Sequence, residues 1–188
     1  MIFSAVLDTN ALYPFSLRDT LLRLAELELY TPLWSERILE EMRRNLVKRQ
    51  ITDEQAERIL RAMRSAFEEA EIDAAEIDRL EPAITNDPKD RHILAAAVAG
   101  GSELIVTFNL NDFPADACEP LGVEAIHPDD FLLDLNDLSP AGVRAALEQQ
   151  AADLHPPWSL EELLDALEIA GVPRFVATVR AAQTELLP

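Results

Sequence analysis

Three short apolar runs limit what this chain can fold into: IFSAVL (Ile2–Leu7), ELIVTF (Glu103–Phe108) and LGVEAI (Leu121–Ile126). Each is short, contains β-branched residues and is bounded by polar or turn-forming residues, which predicts strands. A weaker candidate is LELYTPLW (Leu27–Trp34), where Pro32 cannot donate to a sheet ladder and so limits the strand to a short or edge piece. Helical periodicity fills the intervals. Ser16 or Asp19 is expected to open a first helix running through Leu27, and Ser35 to cap a second ending near Gln50. Thr52 with Gln55 forms a capping-box pattern for a third. The fourth starts in NDPKDRHILAAAVAGG, with Asp87 as cap, Pro88 at the first helical position and Gly100–Gly101 as the stop. Strands this far apart cannot be joined as hairpins. They need crossover connections, hence a central parallel sheet covered on both faces by helices, an α/β fold of three layers, α/β/α.

Beyond Asp134 no convincing strand occurs. Ser139–Pro140 opens one helix, Pro156–Pro157 interrupts, Ser159 with Glu162 caps the next, and Gly171–Val172–Pro173 separates a third. The expected organisation is a domain over 1–133 and a helical extension over 134–188, within reach of a 188-residue chain with 48% hydrophobic residues. The lone Cys118 has no intramolecular disulfide partner. No apolar stretch approaches the ~20 residues that span a bilayer, and MIFSAV lacks the basic leader of a secretory signal. These features favour a cytoplasmic protein without a membrane partner.

The first apolar run ends on an acid, Asp8. In open parallel sheets ligands gather outside the carboxyl ends of the strands. Asn109 and Asp112 follow the ELIVTF run in the same way, and Asp90 falls in the first turn of the fourth helix, where the helix dipole favours a carboxylate. Each has a plain alternative: Asp8 and Asp112 as turn residues, Asp87 as a cap, Asp90 as part of a capping interaction. In SERILEEMRRNL the apolar stripe is Ile38, Leu39, Met42 and Leu46; Glu41 lies at its edge and Glu40 points away. Glu41 is therefore the preferred fourth acid, with a surface ion pair to Arg37 or Arg44 as its plain alternative. Four clustered carboxylates need a cation or raised pKa values. Oxygen-only ligation suits Mg²⁺ or Mn²⁺ rather than zinc, and such ions polarise phosphodiesters and activate water.

The formal net charge of −19 argues against nucleic acid unless a bound cation or a local basic patch reverses the field; a basic partner protein suits it better. RRNLVKR supplies such a patch. Arg37, Arg44 and Lys48 project on the Glu41 side as candidate RNA-backbone contacts, against the alternative of a solvated helix face. His92, His127 and His155 show no metal-ligand spacing, and His92 reads as a bystander. Trp34 and Trp158 read as packing residues.

Taken in order, VLDTNALYP, SERILEEMRRNL and DPKDRHILAAAVAGGSELIVTFNLNDFP resemble the PIN (PilT N-terminal) domain family, whose prokaryotic members include the VapC-type toxins of toxin–antitoxin pairs. The resemblance covers roughly Met1 to Leu133 and lies in the ordered combination, no single piece being specific. It implies a PIN-like α/β/α fold and Mg²⁺- or Mn²⁺-dependent endonucleolytic cleavage of RNA. Asp8, Glu41, Asp90 and Asp112 correspond to the family's metal-binding acids, with Asp87 a further candidate ligand. Asn10, Thr107 and Asn109 look like supporting groups. Many relatives carry an acid where this chain has Asn109, a departure that weakens a second metal site more than the first. The tail resembles that of longer VapC-like proteins. An inhibiting antitoxin and a homodimer follow as family expectations. Two other readings stand beside this one: a catalytically silent interaction module on the same fold, and a haloacid-dehalogenase-like phosphatase, whose chemistry needs a second Asp where Asn10 stands.

Overall fold

The computed structural model describes residues 3–185. Ile2, the first residue of the expected opening strand, lies outside them. Among the described residues five strands are observed: β1 (Ser4–Leu7), β2 (Thr31–Ser35), β3 (Glu71–Ile72), β4 (Leu104–Val106) and β5 (Glu124–Ile126). They form one sheet in the order β3-β2-β1-β4-β5, every pair parallel. The chain steps from β1 outward through β2 to β3, then returns to β4 on the other flank of β1. That reversal puts a topological switch point beside the carboxyl ends of β1 and β4, where ligand crevices form in open α/β sheets.

The connections are helical: α1 (Thr9–Leu12), α2 (Phe15–Glu26), α3 (Glu36–Lys48), α4 (Asp53–Ala66), α5 (Ala74–Leu80), α6 (Arg91–Ala99) and α7 (Ala115–Cys118). This is the expected three-layer α/β/α arrangement around a parallel sheet. Helix α6 lies against β1, β2 and β4 and is buried from His92 to Ala97. It ends at Gly100, where an added Cβ would stand 2.9 Å from Leu33 Cδ1. Ser35 caps α3 by accepting the Ile38 N–H at 3.2 Å, and Thr52 and Gln55 form the full capping box of α4. A cap of this kind contributes about 1 kcal/mol.

Several expectations are corrected. Helix α2 begins at Phe15, after Pro14, so neither Ser16 nor Asp19 is its cap. Asp87 does not cap the fourth helix: its side chain accepts the Lys89 N–H and its carbonyl accepts the Asp90 N–H, closing a turn that delays α6 to Arg91 and leaves Asp90 at the N-cap position. Strand β2 is short but flanked on both sides. Its Thr31 N–H donates to Phe3 of the β1 segment and its Trp34 N–H to Ala70 on the β3 side. By alternation Pro32 faces the β3 side, and β3 pairs only from Trp34 onward. The missing donor thus falls where no ladder exists. The short elements α1, β3 and α5 were not anticipated.

By packing, the described residues fall into two units. One comprises Tyr30–Ile126 with the described part of Met1–Tyr13, and holds the sheet. The other comprises Pro14–Leu29 with the described part of His127–Pro188. The second unit is helical, adding to α2 the helices α8 (Pro128–Leu138), α9 (Pro140–Asp153), α10 (Leu160–Ile169) and α11 (Pro173–Glu185). Within it α2 packs on α9 and α10, and α8 on α9 and α11. Ser159 and Glu162 form a capping box for α10, whereas Ser139 stands before α9 without a side-chain cap bond. No helix among the described residues is long and apolar enough to cross a membrane.

Candidate metal centre

Asp8 follows β1 directly. Its backbone N–H donates to Val106 of β4 at 3.1 Å, so the ladder runs into the residue and fixes it at the switch point. The residue is 4% exposed. Thr107, fully buried just past β4, donates its hydroxyl to Asp8 Oδ2 at 2.6 Å. That hydroxyl in turn accepts the Asn10 side-chain amide at 3.0 Å and the Asn109 backbone N–H at 3.1 Å. Asn10 Oδ1 accepts the Phe108 N–H at 3.0 Å. Asn10 and Thr107 thus tie the ends of the two central strands together around Asp8. Asn109 joins through its backbone, its residue being exposed.

Helix α3 carries Glu41 to the same place. Thr9 donates to Glu41 Oε2 at 3.2 Å, sharing its hydroxyl with the Ile38 carbonyl at 3.1 Å. His92 Nε2 lies 3.6 Å from Glu41 Oε1, beyond hydrogen-bond length. Glu40 faces elsewhere, holding Arg43 through two contacts of 2.8 Å. Of the two acids, Glu41 is the one whose charge acts on Asp8.

The electrostatics make this a strained group. Burial pushes the Asp8 carboxyl up to about 6 against the Thr107 hydrogen bond, and the charges of Asp90 and Glu41 push the same way. Burial likewise raises Asp90, reinforced by the charges of Asp112, Asp87 and Glu41. Glu41 is held below the usual carboxylate range, chiefly by the His92 contact. Asp8, Glu41 and Asp90 therefore feel one another, while Asp112 acts on Asp90. Exposed Asp87 belongs to the fringe of this field.

Among the described residues, no group of three or more His, Cys, Asp or Glu side chains is placed to hold a metal ion as it stands. The donor chemistry nevertheless fits a hard divalent cation. The donors are carboxylate oxygens, and mutual repulsion already disfavours their joint ionisation. Mg²⁺ commonly keeps several waters and needs few protein ligands, which an open acid group can supply.

The basic candidates separate. Arg37 is paired with Glu81 at 2.5 Å, and Arg44 lies 3.9 Å from Glu41 Oε1 with its side chain 57% exposed. Lys48 is exposed at the last position of α3, and the neighbouring Arg49 covers the Tyr13 ring at 4.9 Å.

Two residues near the acids escaped sequence reasoning. Thr9 holds Glu41, and a hydroxyl one residue after a strand-end Asp carries no signal for that role. Asn86 is 4% exposed and donates its amide to the Asp112 carbonyl at 3.0 Å, joining the turn before α6 to the Asp112 segment. Its Oδ1 is buried without a hydrogen-bond partner.

A parallel sheet ordered 3-2-1-4-5 with acids near its switch point defines a class of open α/β proteins whose ligands gather at the carboxyl ends of the strands. Residues 4–111, more than half of the chain, match the family profile described as PIN domain, and the chain belongs to that family. Residues 128–181 match a second profile, described as VapC50 C-terminal domain. A protein of Mycobacterium tuberculosis (strain ATCC 25618 / H37Rv), named "Putative ribonuclease VapC50", is 48% identical over 99 residues, which is 52% of this chain and 58% of that protein. The chain thus aligns with little more than half the length of this relative. No solved structure gives a significant match.

Proposed function

We propose that the chain is a divalent-metal-dependent endoribonuclease, acting as the toxin of a toxin–antitoxin pair. The observation that carries this reading is Asp8: a buried carboxyl at the switch point of a PIN-family sheet, pushed up to about 6 by burial and by Asp90 and Glu41. Asp8, Asp90 and Asp112 would hold Mg²⁺ or Mn²⁺, directly or through water, with Asp87 at the margin. The ion supplies Lewis acidity at the scissile phosphate and charge stabilisation for the leaving oxygen. Glu41 would orient the attacking water or bind a second ion, its lowered pKa keeping the carboxylate ionised. Thr107 and Asn10 keep the Asp8 carboxylate aimed, and Arg44 and Lys48 hold the RNA backbone beside it. The bound cation also offsets the −19 charge where the anionic substrate must approach. The name of the Mycobacterium tuberculosis relative supports both the ribonuclease and the toxin reading. A basic antitoxin segment is the partner that suits so acidic a protein. The expected setting is the cytoplasm.

The test is cleavage of single-stranded RNA by the full chain with Mg²⁺ or Mn²⁺, with chelator, and with Asp8→Asn. Chelator should abolish cleavage, and Asp8→Asn should lower it by at least roughly a hundredfold, more than the loss of a supporting group costs. An Asp8→Asn protein that cuts as fast as wild type sinks the assignment. Calorimetric titration with Mn²⁺ separates the enzyme from a silent module, for which no uptake above that of an acidic surface is expected. For a phosphatase, the second acid is replaced by Asn10, whose side chain is occupied with Thr107 and Phe108.

A further inference from the structure

We infer that His92 is a positioning residue for Glu41, holding the Glu41 carboxylate in its working orientation through the imidazole Nε2–H. This rests on the proposed role of Glu41 as a site acid. His92 is the second residue of α6 and 1% exposed, and both ring nitrogens are buried without a hydrogen-bond partner. A neutral imidazole must carry its proton on one of them, and a buried N–H without an acceptor is costly. Nε2 has an acceptor close by, Glu41 Oε1 at 3.6 Å. The gap is a few tenths of an ångström beyond a hydrogen bond. Glu41 has room to close it, because its side chain is 35% exposed.

Closing that gap has a consequence for each partner. His92 gains the acceptor its burial denies it. Glu41 is then gripped at both oxygens, Oε2 by Thr9 and Oε1 by His92, and loses the freedom to turn toward Arg44 at 3.9 Å. An acid that must face a water beside a phosphate benefits from being fixed in this way, since small misplacements of a reacting group are expensive in rate. An inert packing histidine would instead have its nitrogens satisfied by backbone, as most buried polar groups are.

Two measurements on the full chain test this. Ring-nitrogen NMR at fixed neutral pH should show the Nε2–H tautomer for His92, and its Nε2 resonance should move on Glu41→Gln. An Nδ1–H tautomer, or a resonance indifferent to Glu41→Gln, overturns the inference whether or not the protein cleaves RNA. In the cleavage assay, His92→Leu should lower kcat roughly ten- to hundredfold with KM nearly unchanged. His92→Gln, whose amide reaches the Nε2 position, should recover most of the rate, whereas His92→Asn should not. Adding His92→Leu to Glu41→Gln should slow the enzyme no further. Independent, multiplying losses, or equal rates for the Gln and Asn variants, would refute positioning through Glu41. If His92→Leu does not fold, the Gln and Asn pair decides. Absence of cleavage by wild type would count against the proposed function alone, leaving the NMR measurement to judge His92.

Discussion

The two units differ in which of their buried polar side chains are fully paired. In the helical unit, Thr20 and Gln150 are fully buried and answer each other: Thr20 donates to Gln150 Oε1 at 2.7 Å, and the Gln150 amide donates to the Ser16 carbonyl at 2.9 Å. Asp129, 4% exposed, accepts the N–H groups of Arg174 and Phe175 at 3.0 and 2.8 Å, capping the start of α11 from α8. In the sheet unit, burial works against the charge of Asp8, and neither Asn86 Oδ1 nor the ring nitrogens of His92 make a hydrogen bond, His92 Nε2 standing 3.6 Å from Glu41. Saturated polar groups specify a packing, whereas unsatisfied ones store free energy that a ligand can release. The contrast has exceptions: in the helical unit burial also works against the charge of Arg18 and Gln183 Nε2 lacks a hydrogen-bond partner, while in the sheet unit Thr9, Ser35 and Thr107 are saturated and Trp34 Nε1 lacks a partner.

The hardest test of this contrast is Asp8→Asn, which should destroy cleavage while stabilising the metal-free protein. The raised pKa means the folded state binds the proton more tightly than the unfolded chain does. Stability from this group is therefore fully present below about pH 4 and is lost as pH rises through about 6. The loss at neutral pH amounts to about 3 kcal/mol, and Asn, always neutral, should recover much of it. Denaturant unfolding of both proteins at pH 4 and pH 7, without metal, checks the sign: wild type should gain on the variant as pH falls.

Thr20→Val probes the saturated network. It leaves Gln150 Oε1 buried without its donor and should cost roughly 1–3 kcal/mol, while adding Gln150→Leu should restore most of the loss. If Thr20→Val alone is neutral, the helical unit is not built on that pair. Asn86→Ala removes the Asp112 tether and an unpaired oxygen together. Stability should change by less than about 1 kcal/mol, and cleavage should fall about tenfold. A stability loss with full activity would make Asn86 an ordinary structural residue. The smallest effect is expected at Lys48→Ala, which should lower the salt dependence of single-stranded RNA binding by about 0.7 in the log–log slope, one phosphate contact.

Much of the architecture was legible because its determinants are local. Ser35, Thr52 with Gln55, and Ser159 with Glu162 act within one helical turn, and all three caps are present. Helical periodicity likewise separated Glu41 from Glu40. Failures occurred where local signals compete. Asp87–Pro88 has the form of a helix start, yet the same Asp side chain closes a turn on Lys89. Two-residue β3 is too short for any pattern to register, and His92 lacked metal-ligand spacing, which says nothing about a partner on another helix.

The amino-acid order alone determined the alternation of strands and helices, the parallel sheet this entails, and an acid at the end of the first strand. Only the tertiary structure decided which groups meet: Thr107 with Asp8 across 99 positions, Thr9 with Glu41 across 32, and Phe15–Glu26 with the C-terminal helices. The reason is range. Propensity, capping and periodicity act over a few residues and are written in neighbouring letters, whereas a site is made by burial and long-range packing, whose partners no local pattern names.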